Sequence, residues 1–227
     1  MKRTILVVAA HPDDEVLGCG GTLAKFAAAG SAVHVSFMSD GVTARPGDSD
    51  SHQREREVRK AAAVSAGTIL GVKNLTFGEF PDNRMDSVAL LDITREIEDL
   101  IARIRPDTVF THHAGDLNID HRRVHEAVVT ACRPQPGHPV RTLLSFEVPS
   151  STEWHLSGSA PAFLPTWFED ITATLDRKLA ALDAYEVELR EWPHPRSRKS
   201  VEYLARWRGA TVGAQAAEAF MLGRQLA

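Results

Sequence analysis

The sequence predicts an α/β fold with a mostly parallel central sheet flanked by helices, and three observations carry that prediction. Residues 4–10 (Thr-Ile-Leu-Val-Val-Ala-Ala) form an unbroken apolar run rich in β-branched side chains, as expected of a strand buried on both faces. Residues 90–104 place Leu90, Leu91, Ile93, Ile97, Leu100, Ile101 and Ile104 at the spacing of an amphipathic helix. Two clusters of ionisable residues, at 11–15 and 112–125, each follow directly on a short apolar run, and ligand sites of open parallel sheets gather outside the carboxyl ends of strands. With 227 residues, 43% hydrophobic and 25% charged, a single domain spanning 1–227 can bury a core without disulfide or metal staples.

The first strand leads through His11-Pro12-Asp13-Asp14-Glu15 into a helix with a glycine-rich opening (Gly18, Gly20, Gly21) and an apolar stripe including Leu17, Leu23 and Phe26. Gly30 ends that helix, and residues 32–38 read as a second strand closing at Ser39-Asp40-Gly41. A loop over 41–52, containing Pro46, is placed to cover a site. Residues 51–66 follow as a helix whose Arg54, Glu55, Arg56 and Glu57 form a charged face, with Arg54 the candidate for reaching a substrate. A short strand at 74–77 precedes a turn at 80–84 that can also reach the site, and the amphipathic helix stops at Pro106. Buried strands are then expected at 108–111 and 140–148, a loop and edge strand at 161–168, and a helix at 175–189 broken by Trp192-Pro193-His194-Pro195. A last helix over 200–207 and a closing stretch at 209–226 complete the chain, with no internal repeat or linker.

Three carboxylates in a row after a buried strand are costly unless something compensates their charge. A divalent cation would do so, and imidazole with carboxylate is a usual ligand set. A helix N-terminus accounts for Asp13, Asp14 and Glu15 as caps, but not for His11 on the strand side of the turn. In the second cluster fall His112, His113, His121 and His125, four of the chain's ten histidines. Asp120 reads as the cap of the next helix, which puts His121 in its first turn as a third metal donor and His125 one turn on as a packed residue. His112 and His113 alternate across a strand end, so no more than one of them faces the crevice. His194, stiffened between two prolines, is a candidate for the site or a plain loop residue.

A net charge of −4 and a pI near 6.2 provide no basic field for nucleic acid or an anionic membrane. No apolar run reaches membrane-spanning length. The two cysteines, Cys19 and Cys132, suit a reducing compartment as buried small hydrophobes. The opening Met1-Lys2-Arg3 and its apolar run resemble a signal peptide, but the acidic residues at 13–15 interrupt it where a cleavage region is neutral, so a cytoplasmic location is expected.

These residues resemble the LmbE-like (PIG-L) family of metal-dependent N-deacetylases. His11-Pro12-Asp13-Asp14-Glu15 matches the family's motif in full, residues 116–125 match it more loosely, and weaker likenesses lie at 54–62, 80–83, 147–154 and 194–220. The resemblance implies a Rossmann-like domain and removal of acetyl from an N-acetylated amino sugar, commonly an N-acetylglucosamine conjugate. It implies one Zn2+ per chain on His11, Asp14 and His121, with Asp13 as general base and Asp120 and Glu15 supporting the site; iron or cobalt would suit the same donors. Where the family often has His-x-x-His this chain has Asn118-Ile119-Asp120-His121, so Asn118 stands as oxyanion donor and cannot serve as an acid. His113 or His194 is then the candidate proton source, and Arg54, His113 and His194 are the candidate substrate contacts. The partner expected is a small-molecule amino-sugar conjugate; Trp154, Trp167 and Phe168 are candidates for a substrate rim or a homo-oligomer interface. Three other readings remain open: a zinc amidase acting on another conjugate, a non-catalytic metal- or sugar-binding homologue, and a dinucleotide-dependent oxidoreductase. The last rests on Gly18-Cys19-Gly20-Gly21 and Asp40, but lacks the third glycine and sets carboxylates where pyrophosphate would lie.

Overall fold

Alternating side chains of the first strand supply two separate cores, which is why its apolar run has no polar break. The structure, a computed structural model, describes residues 2–39, 41–44 and 47–227. In chain order it contains β1 (Thr4–Ala9), α1 (Asp14–Ala28), β2 (Ala32–Ser39), α2 (Ser49–Leu70), β3 (Asn74–Phe80), α3 (Leu90–Ile104), β4 (Thr108–His112) and α4 (Ile119–Ala131). There follow β5 (Thr142–Phe146), β6 (Trp167–Asp170), α5 (Leu175–Asp183), α6 (Arg198–Ala210) and β7 (Ala217–Gln225). Ile5, Val7 and Ala9 of β1 join a core with residues of α1, α2, α5 and α6, while Leu6 and Val8 join one with residues of α3 and α4. Each such Leu, Ile or Val contributes about 1.5–3 kcal/mol by leaving water.

The seven strands lie in the order β3-β2-β1-β4-β5-β7-β6. The first five are parallel, β7 runs antiparallel to β5, and β6 pairs antiparallel with β7 at the edge. The chain winds outward from β1 to β3, then crosses to the other side of β1 to lay down β4 and β5. Strand order therefore reverses between β1 and β4, and the crevice outside their carboxyl ends is the switch point at which such sheets bind ligands. Residues 10 and 112, far apart in sequence, are joined there by a hydrogen bond from the Ala10 N–H to His112 Nε2 at 2.8 Å.

The helix over 90–104 lies where the pattern puts it, whereas the edge strand expected within 161–168 is Trp167–Asp170. The helix expected over 51–66 is longer, because the Asp48 carboxylate caps it by accepting the Ser51 N–H at 2.8 Å and Gly71, at φ 79°, ends it. The one expected over 175–189 stops at Asp183; a single 3-10 turn, Glu186–Glu188, follows and carries Glu188 toward the site. The last helix spans Arg198–Ala210 behind a Ser197 cap, and the closing stretch is strand β7. Asp40 and Pro46 lie outside the described residues. Cys19 and Cys132 are buried free thiols, and among the described residues no helix is long and apolar enough to cross a membrane.

Candidate active site

The turn after β1 is held by its own polar groups. Asp14 Oδ2 accepts the His11 N–H at 2.8 Å and Glu15 Oε2 accepts the Asp13 N–H at 3.0 Å. Asp13 itself sits at φ 120° and makes no capping bond, so capping does not explain its side chain. Across the crevice, α4 is capped by Asn118 rather than Asp120: Asn118 Oδ1 accepts the Asp120 N–H at 2.8 Å. That choice frees the Asp120 carboxylate to turn inward. Its Oδ1 accepts the Met85 N–H at 2.9 Å and its Oδ2 the Asn83 N–H at 2.6 Å, which anchors the 82–85 turn against the site.

His11, Asp14 and His121 converge. His11 Nδ1 and His121 Nε2 each lie 3.4 Å from Asp14 Oδ2, and the donor atoms of the three residues fall within 4.8 Å of one another. Ligands bonded to zinc at 2.0–2.2 Å in a tetrahedron stand roughly 3.3–3.6 Å apart, so the two spacings to Asp14 suit such an ion. The far nitrogen of each imidazole is backed by carboxylate: His11 Nε2 is 3.0 Å from Asp120 and 3.1 Å from Asp82, and His121 Nδ1 is 3.1 Å from Asp116. This is the arrangement that orients ligating histidines. Among the described residues Asp14 Oδ1 is buried with no hydrogen-bond partner, an orphaned acceptor that a cation would satisfy. His11, Asp82 and Asp120 form a second close group, but the Asp120 oxygens are taken up by backbone N–H groups and fit an ion less well.

His112 faces the crevice and His113 does not, as alternation requires. His112 accepts the Ala10 N–H and stacks on His121 at 3.9 Å between ring centres, and burial followed by the charge on His121 pushes its pKa well down, so it stays neutral. His125 Nδ1 packs 2.8 Å from the His112 carbonyl. Burial penalises the Asp14 carboxylate, yet His121 and the other imidazoles outweigh that and hold its pKa well below the usual range. Asp13 behaves oppositely: burial raises its pKa to about 6, with Asp14 adding to the rise and Arg196 and Arg59 opposing it. Glu15, behind it, is pushed by burial to about 8 even though the Tyr185 hydroxyl donates to its Oε1 at 2.6 Å.

A polar cleft of about 310 Å³ opens over these groups, lined by His11, Asp13, Arg59, Asp82, Asn118 and Arg196 among others. Arg59 hydrogen-bonds the buried Glu188, while Arg196 Nη1 lies 3.1 Å from Asp13 Oδ2 and its Nε donates to Ser150 Oγ at 2.7 Å. Of the three substrate contacts expected from the sequence, none lines the cleft. Arg54 is exposed on α2, since five residues separate it from Arg59 by roughly 140° around a helix. His113 turns away to hold the Pro161 carbonyl at 2.8 Å, its ring against Phe163. His194 accepts the Arg196 N–H at 3.0 Å and shapes the turn that brings Arg196 in. The missed Arg59 had a sequence sign: it extends the buried stripe of Ala63, Ala66 and Leu70 at helical spacing. Arg59→Ala removes the nearer of the two guanidinium groups beside Glu188, itself 5% exposed, and is expected to cost about 2 kcal/mol in urea unfolding; Arg54→Ala is expected to stay within about 0.5 kcal/mol.

The glycines after the first cluster serve packing. A Cβ on Gly18 would meet the Phe146 ring at 2.3 Å and one on Gly21 would meet Ile171 at 2.7 Å, so α1 lies too close to its neighbours for a cofactor phosphate to enter.

The model of the PIG-L family, described as GlcNAc-PI de-N-acetylase, matches residues 6–132. The protein of Escherichia coli K12 named uncharacterized deacetylase YaiS is 31% identical over 191 residues, which is 82% of this chain and 91% of its own. The 4-oxalmesaconate hydratase of Pseudomonas putida is 29% identical over 213 residues, 85% of this chain and 77% of its own. Among solved structures, the conserved protein TT1542 of Thermus thermophilus superposes with a TM-score of 0.77 at 27% identity, covering 99% of this chain and 96% of that one. The matched segment begins within β1 and runs through α4, taking in both strand ends that meet at the switch point, and the chain belongs to the PIG-L family.

Proposed function

We propose that this chain is a zinc-dependent N-deacetylase that hydrolyses the acetamide of a small N-acetylated amino-sugar conjugate. The observation that carries the reading is the meeting of His11, Asp14 and His121 around one point with Asp13 beside them at the floor of a polar cleft. Zinc on that triad would polarise the amide carbonyl and bring water's pKa toward neutrality. Asp13 then supplies the base: its Oδ1 is buried without a hydrogen-bond partner among the described residues, while Arg196 fixes Oδ2. His113 and His194 do not line the cleft, so Asp13 is also the group that returns the proton to the departing amine. Asn118 has Oδ1 committed to the Asp120 N–H and one amide hydrogen committed to Asn83 Oδ1 at 2.9 Å, leaving the other for an oxyanion. A cleft of about 310 Å³ with Arg59, Asp82 and Asn83 on its walls suits a single sugar ring and its hydroxyls.

The test combines elemental analysis of pure protein with acetate release from N-acetylglucosamine conjugates. Release that stops with chelator and returns with zinc supports the reading; metal-loaded protein that frees no acetate from any of them overturns it. The likeness to a 4-oxalmesaconate hydratase and the two guanidinium groups in the cleft favour one alternative, water addition to an unsaturated carboxylate, which the same protein would show by absorbance without acetate. Asn118→Ala is expected to lower kcat about tenfold with KM nearly unchanged, since the cation shares the oxyanion, and to cost about 1 kcal/mol as a lost cap. An unaltered kcat removes Asn118 from the chemistry.

A further inference from the structure

Helix α1 is broken one turn after it begins. Cys19, at φ −148° and ψ 16°, leaves helical geometry and divides it into a first segment carrying Asp14 and Glu15 and a second that runs to Ala28. In an unbroken helix the Gly21 N–H would donate to the Leu17 carbonyl. Here the Gly21 N–H donates to Glu218 Oε1 at 2.9 Å, the Thr22 N–H to Glu218 Oε2 at 2.7 Å, and the Leu17 carbonyl accepts from Lys178 Nζ at 2.9 Å. Lys178 and Glu218 meet each other at 2.5 Å. An ion pair has thus been inserted into the helical hydrogen-bond ladder, its members coming from α5 and β7.

Both side chains are almost wholly buried, at 3% and 4% exposure. Burying two charges costs about as much as their attraction returns, so the pair's worth lies less in that attraction than in the three backbone groups it satisfies. The position of the pair points to another role. The second segment of α1 is pressed against Ile171 at Gly21, so its axis is set by packing; the first must present Asp14 between His11, just after β1, and His121, in the first turn of α4. A break lets the two segments take different axes, and the inserted pair satisfies the backbone groups that the break exposes.

We infer that Lys178 and Glu218 are positioning residues for the metal triad, fixing the first segment of α1 and so the place of Asp14. The inference rests on the triad holding a cation as proposed above. The path is short: Lys178 holds the carbonyl of Leu17, three residues beyond Asp14, and Asp14 Oδ2 closes back on the His11 N–H.

Zinc affinity of the full chain, by competition with a chromophoric chelator, tests it. Lys178→Met combined with Glu218→Met removes both charges together and is expected to bind zinc about tenfold more weakly; it also strands the Gly21 and Thr22 N–H groups and the Leu17 carbonyl, so the metal-free melting midpoint falls. Lys178→Gln combined with Glu218→Gln keeps a donor for Leu17 and an acceptor for Gly21, and is expected to return affinity to within about threefold of wild type. Ile97→Val, in the opposite core, lowers the midpoint and leaves zinc affinity alone. In the wild type, coupling is reciprocal, so zinc should slow amide exchange at Gly21 and Thr22; this measurement stands even if the methionine pair does not fold. Wild-type affinity in the methionine pair, equal weakness in the glutamine pair, or exchange at Gly21 and Thr22 indifferent to zinc each overturns the inference alone. A wild-type chain that takes up no zinc overturns the proposed function and this inference with it.

Discussion

Asp13→Asn is expected to lower turnover by about 10²–10⁴-fold while zinc binding stays within a few-fold of wild type. Asparagine keeps the size of the side chain, tolerates the positive φ of 120° better than most residues, and still offers an oxygen to Arg196. What it cannot do is accept a proton. Because burial raises the Asp13 pKa to about 6, the base is ionised above that pH and lost below it. Activity should therefore fall as pH drops through about 6, or somewhat lower once a cation beside Asp14 favours the carboxylate further. With zinc kept saturating at every pH, the residual rate of the variant should lack that limb. Acetate release across pH, alongside zinc stoichiometry, separates the outcomes: loss of zinc would make Asp13 a ligand, and an undiminished rate would move the base elsewhere.

The parts of this site that a linear reading finds are those whose physics is local. A strand buried on both faces shows as an unbroken apolar run, and a cluster of charge directly after it marks a candidate ligand site because strand ends are where parallel sheets open. His11, Asp14 and His121 come from such stretches. The parts it misses depend on pairings across the chain. Arg59 meets Glu188 across 129 positions, and Tyr185 meets Glu15 across 170, so each partner alone looks like an ordinary surface or core residue. Asn118 and Asp120 are equally good caps by residue type, and only the pull of His11, Asn83 and Met85 on the Asp120 carboxylate decides between them. The end of α5 is hidden for a different reason: Leu189 still packs on the same core, so the apolar pattern continues after the backbone has left the α-helix.

His121→Ala should weaken zinc binding at least about 100-fold, beyond the 10–100-fold typical of removing a group behind a ligand. Its effect on the pH dependence of binding is the sharper measure. In the metal-free protein burial lowers the basicity of His121, but Asp14 and Asp116 more than compensate and its pKa rises to about 9; His11, beside Asp120, Asp14 and Asp82, is likewise raised despite burial. Both imidazoles are therefore protonated at neutral pH, and a cation must displace those protons to reach the nitrogens. Zinc affinity is expected to rise with pH up to about 9, with between one and two protons released per ion, and to be lost as pH falls. In His121→Ala one of those protons has no site, so the slope of log affinity against pH drops by about one unit. Chelator competition at several pH values, with calorimetry in buffers of different ionisation enthalpy, reads affinity and proton count separately. Undiminished affinity would put the third donor elsewhere, whereas weakened affinity with an unchanged slope would mean that His121 is already neutral when the ion arrives and that Asp116 holds it as an acceptor's partner rather than as a cation's.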